Sequence, residues 1–284
     1  MFKKISATIK WFGDHFKGLM FLTIVSILLI PKGSQQITPA NLQEIKLYGV
    51  IMNATQILKE IEQAKYDPNI KGVLLNVNSP GGSVPPSIEI SYAIHDLAKS
   101  KPVVAYASGV MASGSYYSSI YANKIVANPG AIVGSIGVIM QSANIKELMD
   151  KIGIKPQIVK QGEYKEAGTP TREWTPKERA ELEQLTSDTY KLFVSDVANA
   201  RGLDINNSDS FANAHIFSAS RAKDVGLIDE VDIISSARSE LINLAKVKKP
   251  IWKQKPKIEQ LLEKLTQKGI FQFHSYLNGL ISIF

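Results

Sequence analysis

Two segments offer a nucleophile and a base: Ala-Ser-Gly-Ser-Tyr-Tyr at residues 112–117 and Lys-Gln-Gly-Glu-Tyr-Lys-Glu at residues 160–166. Ser113 stands between small residues where a strand is expected to turn into a helix. Such a turn exposes a hydroxyl and leaves the next amide, that of Gly114, unbonded. Asn-Ser-Pro-Gly-Gly-Ser at 78–83 follows another expected strand, and its paired glycines let the backbone approach a ligand closely. The amides of Gly82 and Gly114, aimed at one point, would form an oxyanion hole, whose loss typically costs about 3–4 kcal/mol of transition-state stabilisation. Alone, Pro-Gly-Gly is an ordinary strand-helix turn and any single serine a structural one. Their conjunction points to acyl transfer.

The base is less obvious. Ser108, Ser115, Ser118 and Ser119 crowd around Ser113, and composition does not choose among them; the position after a strand and before Gly114 does. None of His15, His95, His215 and His274 falls in a suitable place. A lysine can serve, but an amine that is normally protonated up to a pKa of about 10.4 must lose solvation and meet hydroxyls rather than carboxylates. Lys165 is flanked by Glu163 and Glu166, which would hold it protonated if they faced it, so the segment is expected to be a loop rather than a strand. In isolation Lys165 reads as a solvated surface group.

The elements that must position these residues alternate. Glu44–Ile51, Gly72–Val77, Pro102–Ala107 and Lys124–Ala127 are expected strands, with helices over Ala54–Lys65, Pro85–Lys99 and Gly114–Ala122. Continuous apolar strands in such alternation predict an α/β fold with a parallel sheet covered on both faces. Thr175-Pro176-Lys177-Glu178 reads as a cap, a first-turn proline and a capping-box glutamate, opening a helix that ends before Arg201-Gly202. The expected divisions are 1–30, 31–43 as a stalk, 44–245 as the catalytic domain, and 246–284. The last is a basic, proline-broken linker followed by an amphipathic helix that lies on a membrane, on a neighbouring subunit, or on the surface.

The 284 residues carry a formal charge of +7 and no cysteine, which excludes disulfides and thiolate chemistry. The excess lysines cluster near the two ends, a pattern suited to a membrane surface rather than to nucleic acid. Gly18–Ile30 is uncharged and mostly apolar, and with Trp11 and Phe12 at the interface it is expected to form an uncleaved membrane anchor. A cleaved leader is the alternative, although no small-x-small site follows Ile30. The lysines before the run place the N-terminus in the cytoplasm and the domain on the outer side of the inner membrane.

The segments at 78–83, 112–117, 134–138 (Gly-Ser-Ile-Gly-Val) and 162–166, in this order and spacing, resemble the bacterial signal peptide peptidase A family, also called protease IV; the likeness runs from about Gly49 to Val231. It implies a Clp protease/crotonase-like fold of repeated β-β-α units with an N-terminal anchor helix, in the short single-repeat form. It also implies a Ser-Lys peptidase with Ser113 as nucleophile, Lys165 as base, and Ser135 as the serine that bonds the lysine. Gly82 and Gly114 would hold the oxyanion, and Gly81 and Ser115 would border the substrate groove. Ser115 departs from the family, which more often has glycine there. No cofactor or metal is implied. The implied partners are peptide substrates such as residual signal peptides, the membrane, and further copies of the chain with Ser and Lys meeting across a subunit boundary. The rivals are a protease of membrane scaffold proteins, an acyl-CoA enzyme of the same fold, for which no matched carboxylate pair is evident, and an inactive membrane scaffold.

Overall fold

A computed structural model describes residues 11, 15–18, 20–22 and 39–254 of the chain, which divides into two compact units, 1–39 and 40–284. In the first unit residues 11, 15–18 and 20–22 are helical, and His15 Nδ1 donates to the Trp11 carbonyl at 2.8 Å. The expected anchor over 18–30 is overturned: among the described residues no helix is long and apolar enough to cross a membrane. The apolar run is shorter than the roughly 20 residues a crossing needs, and residues 19 and 23–30 lie outside the described residues. The inner-membrane placement and the membrane as a partner rested on that anchor and are withdrawn with it. The expected stalk up to residue 38 and the amphipathic helix of 258–284 also lie outside the described residues.

The second unit is built on strands β1 (Leu42–Tyr48), β2 (Gly72–Ser79), β3 (Val103–Ala112), β4 (Lys124–Ala127), β5 (Ile132–Gly134), β6 (Ile216–Ser218) and β7 (Glu230–Val231). The helices are α1 (Thr55–Tyr66), α2 (Val84–Ala98), α3 (Gly114–Tyr117), α4 (Lys146–Lys151), α5 (Pro176–Arg201), α6 (Ala219–Asp224) and α7 (Ile234–Leu244). The sheet runs β1-β2-β3-β4-β7, all parallel. β5 pairs parallel with β3 and antiparallel with β6.

Successive strand residues serve opposite faces, which explains the unbroken apolar runs. Val73, Leu75 and Val77 of β2 and Val103, Ala105 and Ala107 of β3 enter a large core with Ile57, Ile61, Ile90 and Ile94 of α1 and α2. Leu74, Val104, Tyr106 and Val126 point the other way, onto Ala237 and Leu241 of α7. The chain beyond α7 is fastened to the edge strand: the amides of Asn41 and Leu42 donate to the Ile251 carbonyl, and the Lys253 amide donates to that of Leu42.

A break in this sheet prepares the site. Between Val77 and Ser79 the β2-β3 register shifts, and Asn78 Oδ1 accepts the Val110 amide at 3.0 Å. Beyond the break β3 leaves β4 and pairs with β5 through Val110–Ala112. The redirected carboxyl ends of β2 and β3 bring the loops at 80–83 and 113–114 together, at the edge of the sheet where α/β proteins commonly bind ligands.

Candidate active site

Ser113 follows the last residue of β3 and caps α3 with φ 52° and ψ −126°, a conformation that side-chain-bearing residues rarely adopt. Its amide donates to the Gly134 carbonyl at 2.8 Å, fixing the elbow to the end of β5. The neighbouring hydroxyls are all consumed. Ser118 Oγ donates to the Gly114 carbonyl at 2.8 Å, Ser119 Oγ to that of Ser115 at 2.8 Å, and Ser108 Oγ to that of Val77 at 3.1 Å. Only Ser113 of this group has a hydroxyl with no bonded partner among the described residues, so the fold makes the choice that composition left open.

Ser115 is fully buried, which corrects its expected place at the substrate groove. Its Oγ donates to the Ser79 carbonyl at 2.6 Å and accepts the Ala112 amide at 2.9 Å. It therefore staples the glycine loop to the serine elbow from below, a task that glycine at this position could not perform.

The two glycine loops lie in contact. Gly81 has φ 95°, and a Cβ there would lie 2.6 Å from the Gly114 nitrogen and 2.9 Å from Ser113 Cβ. A Cβ on Gly114 would lie 2.3 Å from Ser87 Oγ and 3.4 Å from the Gly82 nitrogen. Side chains are thus excluded where the loops touch. Among the described residues no acceptor takes the amide of Gly82 or Gly114. Two unspent donors beside one unspent hydroxyl can stabilise charge on an acyl oxygen.

An apolar pocket opens beside Ser113, walled by Val84 and Ile88 of α2, Tyr117 of α3, Val138, and Leu192 and Phe193 of α5. Tyr117 Oη donates to Asp196, and its ring packs 4.6 Å from that of Phe193, so α3 and α5 close the pocket together. Burial and the Asp196 carboxylate both push the Tyr117 phenol far up, leaving it protonated. Sequence reasoning missed the contribution of α5. Leu192 and Phe193 stand about 80 positions from Ser113, and no local pattern distinguishes a pocket wall from an ordinary apolar helix face.

Ser135 follows Gly134, is half-buried, and has φ 51°; its amide donates to the His215 carbonyl at 2.7 Å. Lys165 is elsewhere. It lies in a loop of turns, as expected, with an exposed side chain that does not line the Ser113 pocket, and no carboxylate pairs with its Nζ among the described residues. Its neighbours are tied up instead. Glu163 binds Lys177 at 2.7 Å, while Glu166 binds Lys160 at 2.6 Å and Arg172 at 3.2 Å. No histidine lines the Ser113 pocket; His95 stacks on Tyr121 at 4.3 Å. Among the described residues no cluster of three His, Cys, Asp or Glu could hold a metal.

Residues 95–248 match the model of peptidase family S49. The chain is 40% identical over 225 residues to a "putative protease" of Methanocaldococcus jannaschii, covering 79% of this chain and 70% of that protein. The chain belongs to peptidase family S49. It is also 34% identical over 213 residues to a "putative protease" of Synechocystis, covering 73% of this chain and 76% of that protein. A "putative signal peptide peptidase SppA" of Enterococcus faecium is 30% identical over 242 residues, covering 77% of this chain and 70% of that protein. This S49 chain is accordingly a serine peptidase, a hydrolase.

Proposed function

We propose that this S49 peptidase cleaves short, unfolded peptides bearing apolar side chains, with Ser113 as nucleophile and Lys165 as general base. The observation that carries the reading is the strained Ser113 elbow, whose unbonded hydroxyl stands beside the unbonded amides of Gly82 and Gly114. Ser113 Oγ forms a bond to the peptide carbonyl carbon as its proton passes to the lysine amine. The carbonyl oxygen becomes an oxyanion held by the two glycine amides. On collapse the C–N bond breaks, and the lysine ammonium returns the proton to the departing amine. Water then gives its proton to the lysine and attacks the acyl-serine; as the ester C–O bond breaks, the lysine ammonium returns that proton to Ser113 Oγ, releasing a carboxylic acid and restoring both groups. Ser135, with its hydroxyl unbonded and its backbone held beside Ser113 through Gly134, is the neutral partner for the lysine amine.

Lys165 does not line the Ser113 pocket of its own chain, which supports delivery of the lysine by a second copy. The apolar walls support an apolar side chain next to the cleaved bond. A fluorophosphonate probe tests the nucleophile. It should label the native chain at Ser113 and leave Ser113→Ala unlabelled; equal labelling of both would remove Ser113 from the mechanism.

A further inference from the structure

The carboxylates on either side of Lys165 pose a chemical problem, since a free carboxylate close to an amine favours the ammonium form and disables a base. The structure answers it with a four-residue network. Arg172 donates through Nη2 to Glu178 Oε1 at 2.7 Å and through Nη1 to Glu178 Oε2 at 2.8 Å, a two-pronged pair of a kind that lysine cannot reproduce. The same Nη2 donates to Glu166 Oε2 at 3.2 Å, and Lys160 closes on that oxygen at 2.6 Å. Glu178 is 2% exposed and completes the capping box of α5, accepting the Thr175 amide at 2.9 Å. One guanidinium therefore joins the residue next to Lys165 to the first turn of the helix whose later turns wall the Ser113 pocket.

We propose that Arg172 is a positioning residue for Lys165: it ties the lysine loop to the start of α5 and keeps the adjacent Glu166 carboxylate occupied, so that the amine is presented unpaired. This rests on the Ser-Lys reading above. The charged and titratable groups of the loop and the turn after it are Lys160, Glu163, Tyr164, Glu166, Arg172, Glu173, Lys177 and Glu178. The carboxylates of Glu163, Glu166 and Glu178 are each bonded to a cation other than Lys165, and Glu173 meets Arg172 through its backbone carbonyl. Lys160 and Arg172 together hold the Glu166 carboxyl below its usual range, as expected of a group kept charged and engaged.

The test follows kcat/KM against pH on an apolar peptide with the full chain. In Lys160→Met/Arg172→Met, which removes both cations from Glu166, the ascending limb should move to higher pH, because the released carboxylate favours the ammonium form of the catalytic amine. Adding Glu166→Gln should return the limb to its native position although the lowered thermal midpoint persists, a rescue that a merely structural role would not give. Should that double variant fail to fold, Lys160→Met combined with Arg172→Lys decides the question. It strips Glu166 while leaving buried Glu178 a cation, and should show the same shift and the same rescue. A limb that stays in place, or a shift that survives Glu166→Gln, overturns the proposal. Loss of activity in Lys165→Ala keeps these outcomes separate from the underlying reading; retained activity there would sink the Ser-Lys dyad itself.

Discussion

The amide of Ser113 donates to the carbonyl of Gly134 at 2.8 Å, so the elbow and the strand end bearing Ser135 are held as one piece. The elbow costs about 1–3 kcal/mol because a side chain is forced to positive φ. Ser113→Gly should therefore abolish peptide cleavage while raising the thermal midpoint, and Ser113→Ala should abolish it without that gain. A Ser113→Gly variant no more stable than Ser113→Ala would show the elbow to be unstrained.

The convergence of the two loops predicts a sharp penalty at Gly114. A methyl group there would press on Ser87 Oγ and push the amide off its line. Gly114→Ala should fold, since the position opens a helix, yet lose about 10²–10³ in kcat with KM little changed, the range seen when an oxyanion donor is removed. A comparable rise in KM would argue that the amide binds substrate rather than the transition state.

If a second copy of the chain delivers Lys165, as proposed, α5 is the element that separates the lysine loop from the pocket of its own chain. From Glu178 in the first turn of α5 to Leu192 at the pocket is about 20 Å along a continuous helix. Ser113→Ala and Lys165→Ala chains should each be inactive alone. Mixed and allowed to exchange, they should recover activity in roughly a quarter of the sites, as random head-to-tail pairing allows. A mixture as inactive as its components would require the lysine loop to close within its own chain.

The pocket walls should set the choice of side chain. Ile88→Phe places an aromatic ring in the space beside Ser113 and should shift kcat/KM from large toward small apolar residues. A change of one or two methylenes is expected to alter discrimination by about 10–200-fold. Peptide libraries cleaved identically by both enzymes would place the specificity elsewhere.

Acid should loosen the start of α5. The Arg172 guanidinium, aided by the Thr175 amide, holds the Glu178 carboxyl at about 2 against an ordinary 4.5. A carboxyl depressed in the folded state contributes stability that is complete above about 4.5 and is lost as pH falls toward 2. The thermal midpoint of the native chain should drop through that window more steeply than that of Glu178→Gln. Parallel curves would show that the pair contributes nothing.

Local rules made much of the scaffold legible. Thr175, Pro176 and Glu178 announced the start of α5, because a capping box satisfies its own amides within four residues. The apolar runs of β2 and β4 announced strands buried on both faces. β3 was less legible: the expected strand stopped at Ala107, yet it continues to Ala112 because β5 supplies a new partner beyond the register break. In the same way, the lysine-rich stretch after α7 read as a linker because its docking partner, Leu42, lies about 200 residues earlier in the chain.

By itself the sequence determined which chemistry was available: a serine before a glycine, a glycine pair after a strand, a lysine and no suitably placed histidine or cysteine. Only the tertiary structure decided which serine is free, because each competing hydroxyl is consumed by a carbonyl whose position depends on the packed strands. It likewise turned Ser115 from a groove residue into a buried staple, and brought Leu192 and Phe193 to the pocket. It also left Lys165 off the lining of the Ser113 pocket, since α5 runs about 20 Å from the turn tied to the lysine loop to the pocket wall, and no spacing along the chain encodes a separation in space.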